Sequence, residues 1–119
     1  NGGDGYALVR QLARSGVCAE PATPFARERH GPDALLQRTV LERLGYVVLE
    51  DPAVALGADL VVDALLGTGA SGELREPLRG WLARLDGAEC GRRVALDLPS
   101  GLDCDNGAAA RHTFRADVT

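Results

Sequence analysis

The spacing of apolar residues changes several times along the chain, and each change marks an element. Tyr6, Leu8, Val9 and Leu12 recur at near-helical intervals up to Ser15, where Gly16 is placed to close a helix. Val17 to Ala22 reads as a short strand. Pro21, Pro24 and Pro32 then break any regular period. They predict an irregular connection holding Arg27, Glu28, Arg29 and His30, with His30 a solvated loop residue. From Pro32 to Leu44, residues Leu35, Leu36, Val40, Leu41 and Leu44 return to helical spacing, and Gly45 ends that helix. Tyr46 to Leu49 reads as the next strand, and Asp51 to Gly57 as a short helix or turn.

The stretch from Ala58 to Pro77 organises the rest. Leu60 to Leu65 is apolar and Val-rich, broken only by Asp63, a pattern that suits a strand buried on both faces of a parallel sheet. A carboxylate inside such a run is costly unless something pairs with it. Gly67 to Gly72 follows as a flexible loop whose backbone N–H groups can approach an anion. Pro77 stands where the first turn of a helix begins. Leu78, Trp81, Leu82 and Leu85 form one face of that helix, with Trp81 in the core. Val94 to Leu98 reads as another buried strand. It ends in Asp97-Leu98-Pro99-Ser100-Gly101-Leu102-Asp103, again an acid followed by a Pro/Gly loop. Phe114 to Thr119 starts a further strand. Strands alternating with helices predict an α/β domain with a mostly parallel sheet. Ligands of such sheets bind at the carboxyl ends of strands, which is where Asp63 and Asp97 fall.

Composition narrows this picture. The 119 residues suffice for one domain with a core of its own, without a disulfide staple. The net charge of −4 gives no electrostatic reason to expect nucleic acid or an anionic membrane as partner. No apolar run approaches the ~20 residues of a membrane span, and no signal peptide is visible, so a cytoplasmic location is expected. Cys18, Cys90 and Cys104 have no metal-type spacing and read as reduced thiols. The chain has no Met, no Lys, and begins inside a glycine motif. It is therefore expected to be a fragment, a single domain over residues 1–119 truncated at both ends.

The candidate chemistry lies at the strand ends. Asn1-Gly2-Gly3-Asp4-Gly5 reads as a glycine-rich turn feeding a helix, either an anion site or a plain helix start capped by Asp4. Gly67-x-Gly69-x-x-Gly72 matches the dinucleotide pattern G-x-G-x-x-G, but Glu73 to Pro77 intervene before the helix, which disfavours a plain Rossmann oxidoreductase. Asn1, Asp63, Asp97 and Ser100 bring hard oxygen ligands, suited to a hard cation rather than zinc. The competing reading for Asp63 is a carboxylate bonded to loop N–H groups, and for Asp97 a cap on the loop after it.

Taken together, NGGDG, VVDALLGTGASGELREP and DLPSGLDCDNG, in this order, resemble the NAD(P)H-hydrate epimerase family, the YjeF N-terminal domain. The resemblance covers essentially the whole chain. It implies a Rossmann-like three-layer α/β/α sandwich, here lacking its N-terminal part. It implies interconversion of the R and S epimers of hydrated NADH and NADPH. Asn1, Asp63 and Ser100 would then hold a potassium ion. Gly2, Gly3, Asp4, Gly67, Thr68, Gly69, Ala70, Ser71, Gly72, Glu73 and Asp97 would bind the substrate. Leu98 stands where the family has Ile. A dehydratase, fused or separate, would be the functional partner, and a homodimer stays open. Epimerisation needs one group that alternates as base and acid. Asp63 is assigned to the cation, Asp4 stands at a helix N-terminus, which makes it a poor acid, and the histidines lie outside the motifs. Asp97 remains, with Asp103 behind it. A non-catalytic nucleotide- or RNA-binding scaffold of the same fold is the alternative. A scaffold has no chemical reason to keep a cation ligand set beside a carboxylate.

Overall fold

A computed structural model describes residues 3–70 and 72–119. Helix α1 runs Gly3–Arg14, helix α2 Pro32–Arg43 and helix α3 Leu78–Asp86. Strands β1, Leu60–Asp63, and β2, Arg92–Ala95, pair in parallel, with Asp63 opposite Ala95. Single 3₁₀ turns occupy Arg27–Arg29 and Pro52–Ala55. The fold is α/β, with helices around a small parallel sheet. Val61 packs toward the core built on α3, whereas the sheet end at Ala64 meets α1, so the sheet lies between helical layers.

Two apolar cores hold these layers. One joins Ala55, Leu74, Leu78, Trp81, Leu82, Leu85 and Phe114. The other joins Tyr6, Val9, Leu41 and Val48 beneath α1 and α2. Trp81 belongs to the first, as its helical spacing predicts. Arg93 ties that core to the sheet: its guanidinium donates to the Leu85 and Ala88 carbonyls at 3.0 and 2.9 Å, closing the end of α3, and lies 5.9 Å above the Phe114 ring.

Several expected elements are shorter than the sequence suggests. Val17–Ala22 and Tyr46–Leu49 reduce to one parallel bridge between Ala22 and Leu49. Pro21 accepts from Leu49 N–H but has no N–H to return, and Pro24 stops the pairing again. The terminal strand is likewise a single bridge, Val118 to Val94. β1 stops at Asp63 because its carboxylate takes the Leu65 N–H at 3.1 Å and turns the chain. Leu60 is 51% exposed, so β1 is not buried on both faces. β2 begins earlier than expected, at Arg92, and ends at Ala95.

The helix faces also differ. α2 buries Ala34, Arg38 and Leu41, while Leu36 and Leu44 stay 59% and 62% exposed. Arg38 takes a core position with its Nε donating to Glu42 Oε1 at 2.9 Å, one turn along the same helix. His30 is no solvated loop residue. Its Nε2 lies 2.8 Å from the Tyr6 hydroxyl, its Nδ1 3.1 Å from the Ala26 carbonyl, and its ring stacks on Tyr6.

Candidate active site

α1 opens at Gly3, so the expected glycine turn is the first turn of the helix, and Asp4 sits inside it rather than capping it. The glycines there serve close packing. A Cβ on Gly5 would come 2.9 Å from the Ala64 Cβ, and one on Gly3 would touch the Ala34 backbone at 3.4 Å. Gly5 thus lets α1 press against the carboxyl end of β1 and brings Asp4 to the glycine loop. Asn1, Gly2 and Ser71 lie outside the described residues.

Asp63 and Ser100 meet at the sheet edge. The Ser100 hydroxyl donates to Asp63 Oδ1 at 2.8 Å, and the Ser100 N–H donates to Oδ2 at 2.6 Å. Both residues are almost wholly buried, at 4% and 1% exposure. Burial raises the Asp63 pKa above the ordinary aspartate value, against the bonds from Ser100 and Leu65 that lower it. These three donors explain how an apolar strand tolerates the carboxylate. Ser100 Oγ in turn accepts the Leu66 N–H at 3.1 Å, fixing the start of the glycine loop. Asp63 Oδ2 accepts one bond among the described residues, which leaves lone-pair capacity for a hard cation. Among the described residues no group of three or more His, Cys, Asp or Glu is placed to hold a metal. The carboxylate of Asp63 and the hydroxyl of Ser100 are oxygen donors of the kind a hard cation takes.

A cleft of about 320 Å³ adjoins the chain that follows Asp63, lined by Asp4, Ala64, Leu66, Gly67, Thr68, Gly69, Ala70, Leu96 and Asp97. Asp4, the glycine loop and Asp97 therefore face one space, although they come from three distant segments. Asp97 is exposed, two residues beyond the end of β2, and its Oδ2 accepts the Thr68 N–H at 3.2 Å. One carboxylate oxygen is thus anchored on the loop. A Cβ on Gly69 would meet nothing within 4 Å, so that part of the loop opens on empty space. The Thr68 N–H is occupied by Asp97, and the Ala70 N–H closes a turn on the Gly67 carbonyl at 3.1 Å.

Gly72 and Glu73 face elsewhere. They line a second cleft of about 180 Å³ with Phe25, Arg29, Arg75 and Asp103, and Leu66 and Ala70 line both clefts. The loop is thus a partition. The part played by Ser100 in holding it, and the reach of the segment after Leu102 toward it, leave no trace in sequence spacing. The contacts join positions more than thirty residues apart. All three cysteines are free thiols.

A family model described as YjeF-related protein N-terminus matches residues 1–119. The NAD(P)H-hydrate epimerase of Pirellula staleyi is 36% identical over 128 residues, spanning 100% of this chain and 56% of that protein. The NAD(P)H-hydrate epimerase of Rhodopirellula baltica is 39% identical over 131 residues, 100% of this chain and 50% of that one. The bifunctional NAD(P)H-hydrate repair enzyme Nnr of Methanopyrus kandleri is 38% identical over 127 residues, 99% of this chain and 26% of that one. The chain spans about half the length of the epimerases it matches, and a smaller share of the bifunctional enzyme.

Proposed function

This chain belongs to the YjeF-related protein N-terminus family, and from that premise we propose that it epimerises the R and S forms of hydrated NADH and NADPH, as an isomerase of cofactor repair. The observation that carries the reading is the cleft in which Asp4, the loop from Gly67 to Ala70 and Asp97 face one another. Inverting a hydroxyl-bearing ring carbon means removing the hydroxyl, or opening the ring, and rebuilding the centre on the other face. Either route moves a proton to and from oxygen. Asp97 is the group for that role, since it lines the cleft and the Thr68 N–H fixes one of its oxygens.

The remaining parts follow the same reading. The turn at Gly67 to Ala70 and the open position at Gly69 receive the substrate backbone, with Gly2, Gly3, Asp4 and Ser71 completing the binding segments, while Gly72 and Glu73, which line the second cleft, support the loop from behind. Asp63 and Ser100, with Asn1, would hold a potassium ion. A bound cation supplies positive charge beside an anionic substrate and keeps Asp63 ionised. A dehydratase, fused or separate, is the partner that would consume the S epimer. The relatives include both enzymes named as epimerases alone and enzymes named as bifunctional repair enzymes, in keeping with either arrangement. No helix among the described residues is long and apolar enough to cross a membrane. A cytoplasmic setting completes the proposal.

The approach to R/S equilibrium, followed by chromatography with the spontaneous reaction subtracted, tests this. In the full-length protein Asp97→Asn is expected to slow epimerisation by ~10²–10⁴-fold, the usual range for losing a general acid–base, with the fold intact. Wild-type rates in that variant would remove Asp97 from the chemistry.

A further inference from the structure

The segment after β2 holds the glycine loop from behind. Ser100 takes the Leu66 N–H and Asp97 the Thr68 N–H, as described above. Further on, Asp103 Oδ2 accepts the Gly72 N–H at 3.4 Å, and the Cys104 thiol donates to the Thr68 carbonyl at 3.0 Å. Gly72 has φ +77, a left-handed conformation that turns the chain back toward Leu74, which is anchored in the α3 core. The loop is therefore fixed at its entry by Ser100 and at its exit by Leu74. Between these anchors its path depends on Asp97, Asp103 and Cys104.

Asp103 is itself held rigidly. Its Oδ1 accepts the Asp105 N–H at 3.0 Å, its backbone N–H donates to the Ala108 carbonyl at 2.9 Å, and its carbonyl accepts from Gly107 at 2.9 Å. It lines the cleft behind the loop, not the one that contains Asp97. A carboxylate braced by its own turn and reaching across to a glycine N–H acts through the loop, not on a reacting atom. We propose that Asp103 is a positioning residue that sets the shape of the Gly67–Gly72 loop for substrate binding. The proposal rests on the reading of that loop as the substrate-binding segment.

Asp103→Asn isolates the contact. The amide oxygen can keep the bond from Asp105, while the amide NH₂ then meets the Gly72 N–H, donor against donor. In the full-length protein two quantities are measured for wild type and variant. They are the exchange rates of backbone amides with deuterium, and kcat and KM for the hydrated cofactor. Exchange at Gly72 should accelerate about tenfold, with amides of α3 and β2 unchanged. KM should rise about tenfold, the change given by losing one hydrogen bond worth about 1.4 kcal/mol, with kcat within about twofold. A purely structural role would instead lower thermal stability and kcat together. An unchanged loop exchange rate overturns the proposal. So does a falling KM, which would mean that the carboxylate competes with the substrate for the Gly72 N–H. If the wild type does not epimerise at all, the functional reading fails, while the exchange rates still decide whether Asp103 holds the loop.

Discussion

At the scale of the residue, Asp63 shows how one carboxylate can be both a structural cost and a functional resource. Burial raises its pKa, and three donors from Ser100 and Leu65 offset only part of that effect. A raised folded pKa means that the folded chain binds this proton more readily than the unfolded chain does. Its contribution to stability is therefore complete below the ordinary carboxyl range and is lost as pH rises through the raised value. Asp63→Asn, which does not titrate, should flatten that part of a denaturation-versus-pH profile. At neutral pH it should also cost about 1–3 kcal/mol, because an amide NH₂ then faces a Ser100 donor in a buried site. Urea titrations of both proteins across the acid range measure the two effects. If Asp63 is a cation ligand, potassium chloride should raise the wild-type melting temperature more than choline chloride does, and the difference should vanish in the variant.

At the scale of the element, the approach of α1 to β1 decides whether the cleft exists. Two opposed effects meet in Gly5→Ala. Alanine favours the helix by about 1 kcal/mol over glycine. Its methyl group, 2.9 Å from Ala64 Cβ, has to displace backbone on both sides, and overpacking of this kind costs about 1–3 kcal/mol. The contact is short and the neighbouring atom is no flexible side-chain end, so overpacking wins. The variant should melt lower than wild type and bind substrate more weakly, because Asp4 moves away from the loop with its helix. Calorimetric melting and a KM measurement check this, and an unaltered KM would show that the fit of α1 to β1 is not what shapes the cleft.

At the scale of the whole molecule, the cleft borders both cores. Asp4 rides on the helix that covers the Tyr6, Val9, Leu41 and Val48 cluster, whereas the glycine loop leads through Leu74 into the α3 cluster. Leu41 and Leu82 are among the most completely buried side chains, one in each core. Truncating either to alanine should cost about 2–5 kcal/mol. The consequences should differ in place. Leu41→Ala should first speed amide exchange in α1 and α2, and Leu82→Ala in α3 and the loop, by exchange mass spectrometry. Identical, global acceleration from both would mean that the two cores unfold as one cooperative unit.

The sequence alone determined the class of fold and pointed to segments that line the cleft. Periodicity located three helices and the paired strands to within a few residues, since the apolar spacing of Leu78, Trp81, Leu82 and Leu85 follows directly from burial of one helix face. The glycine and acid motifs also pointed to Asp4, the Gly67 loop and Asp97. Other features were settled only by tertiary contacts. Arg38 shares the buried face of α2 with Leu41: Glu42, one turn on, pairs with it, and Arg27 from outside the helix holds that same carboxylate in place. His30 found Tyr6 on another helix. The two outer strands shrank to single bridges because Pro21 and Pro24 withhold ladder donors that an apolar pattern does not count. The meeting of Asp63 with Ser100 and of Asp103 with Gly72 joins residues far apart in the chain. Local propensity carries no information about such a pairing; it arises when the packing of β1 beside β2 places their carboxyl ends side by side.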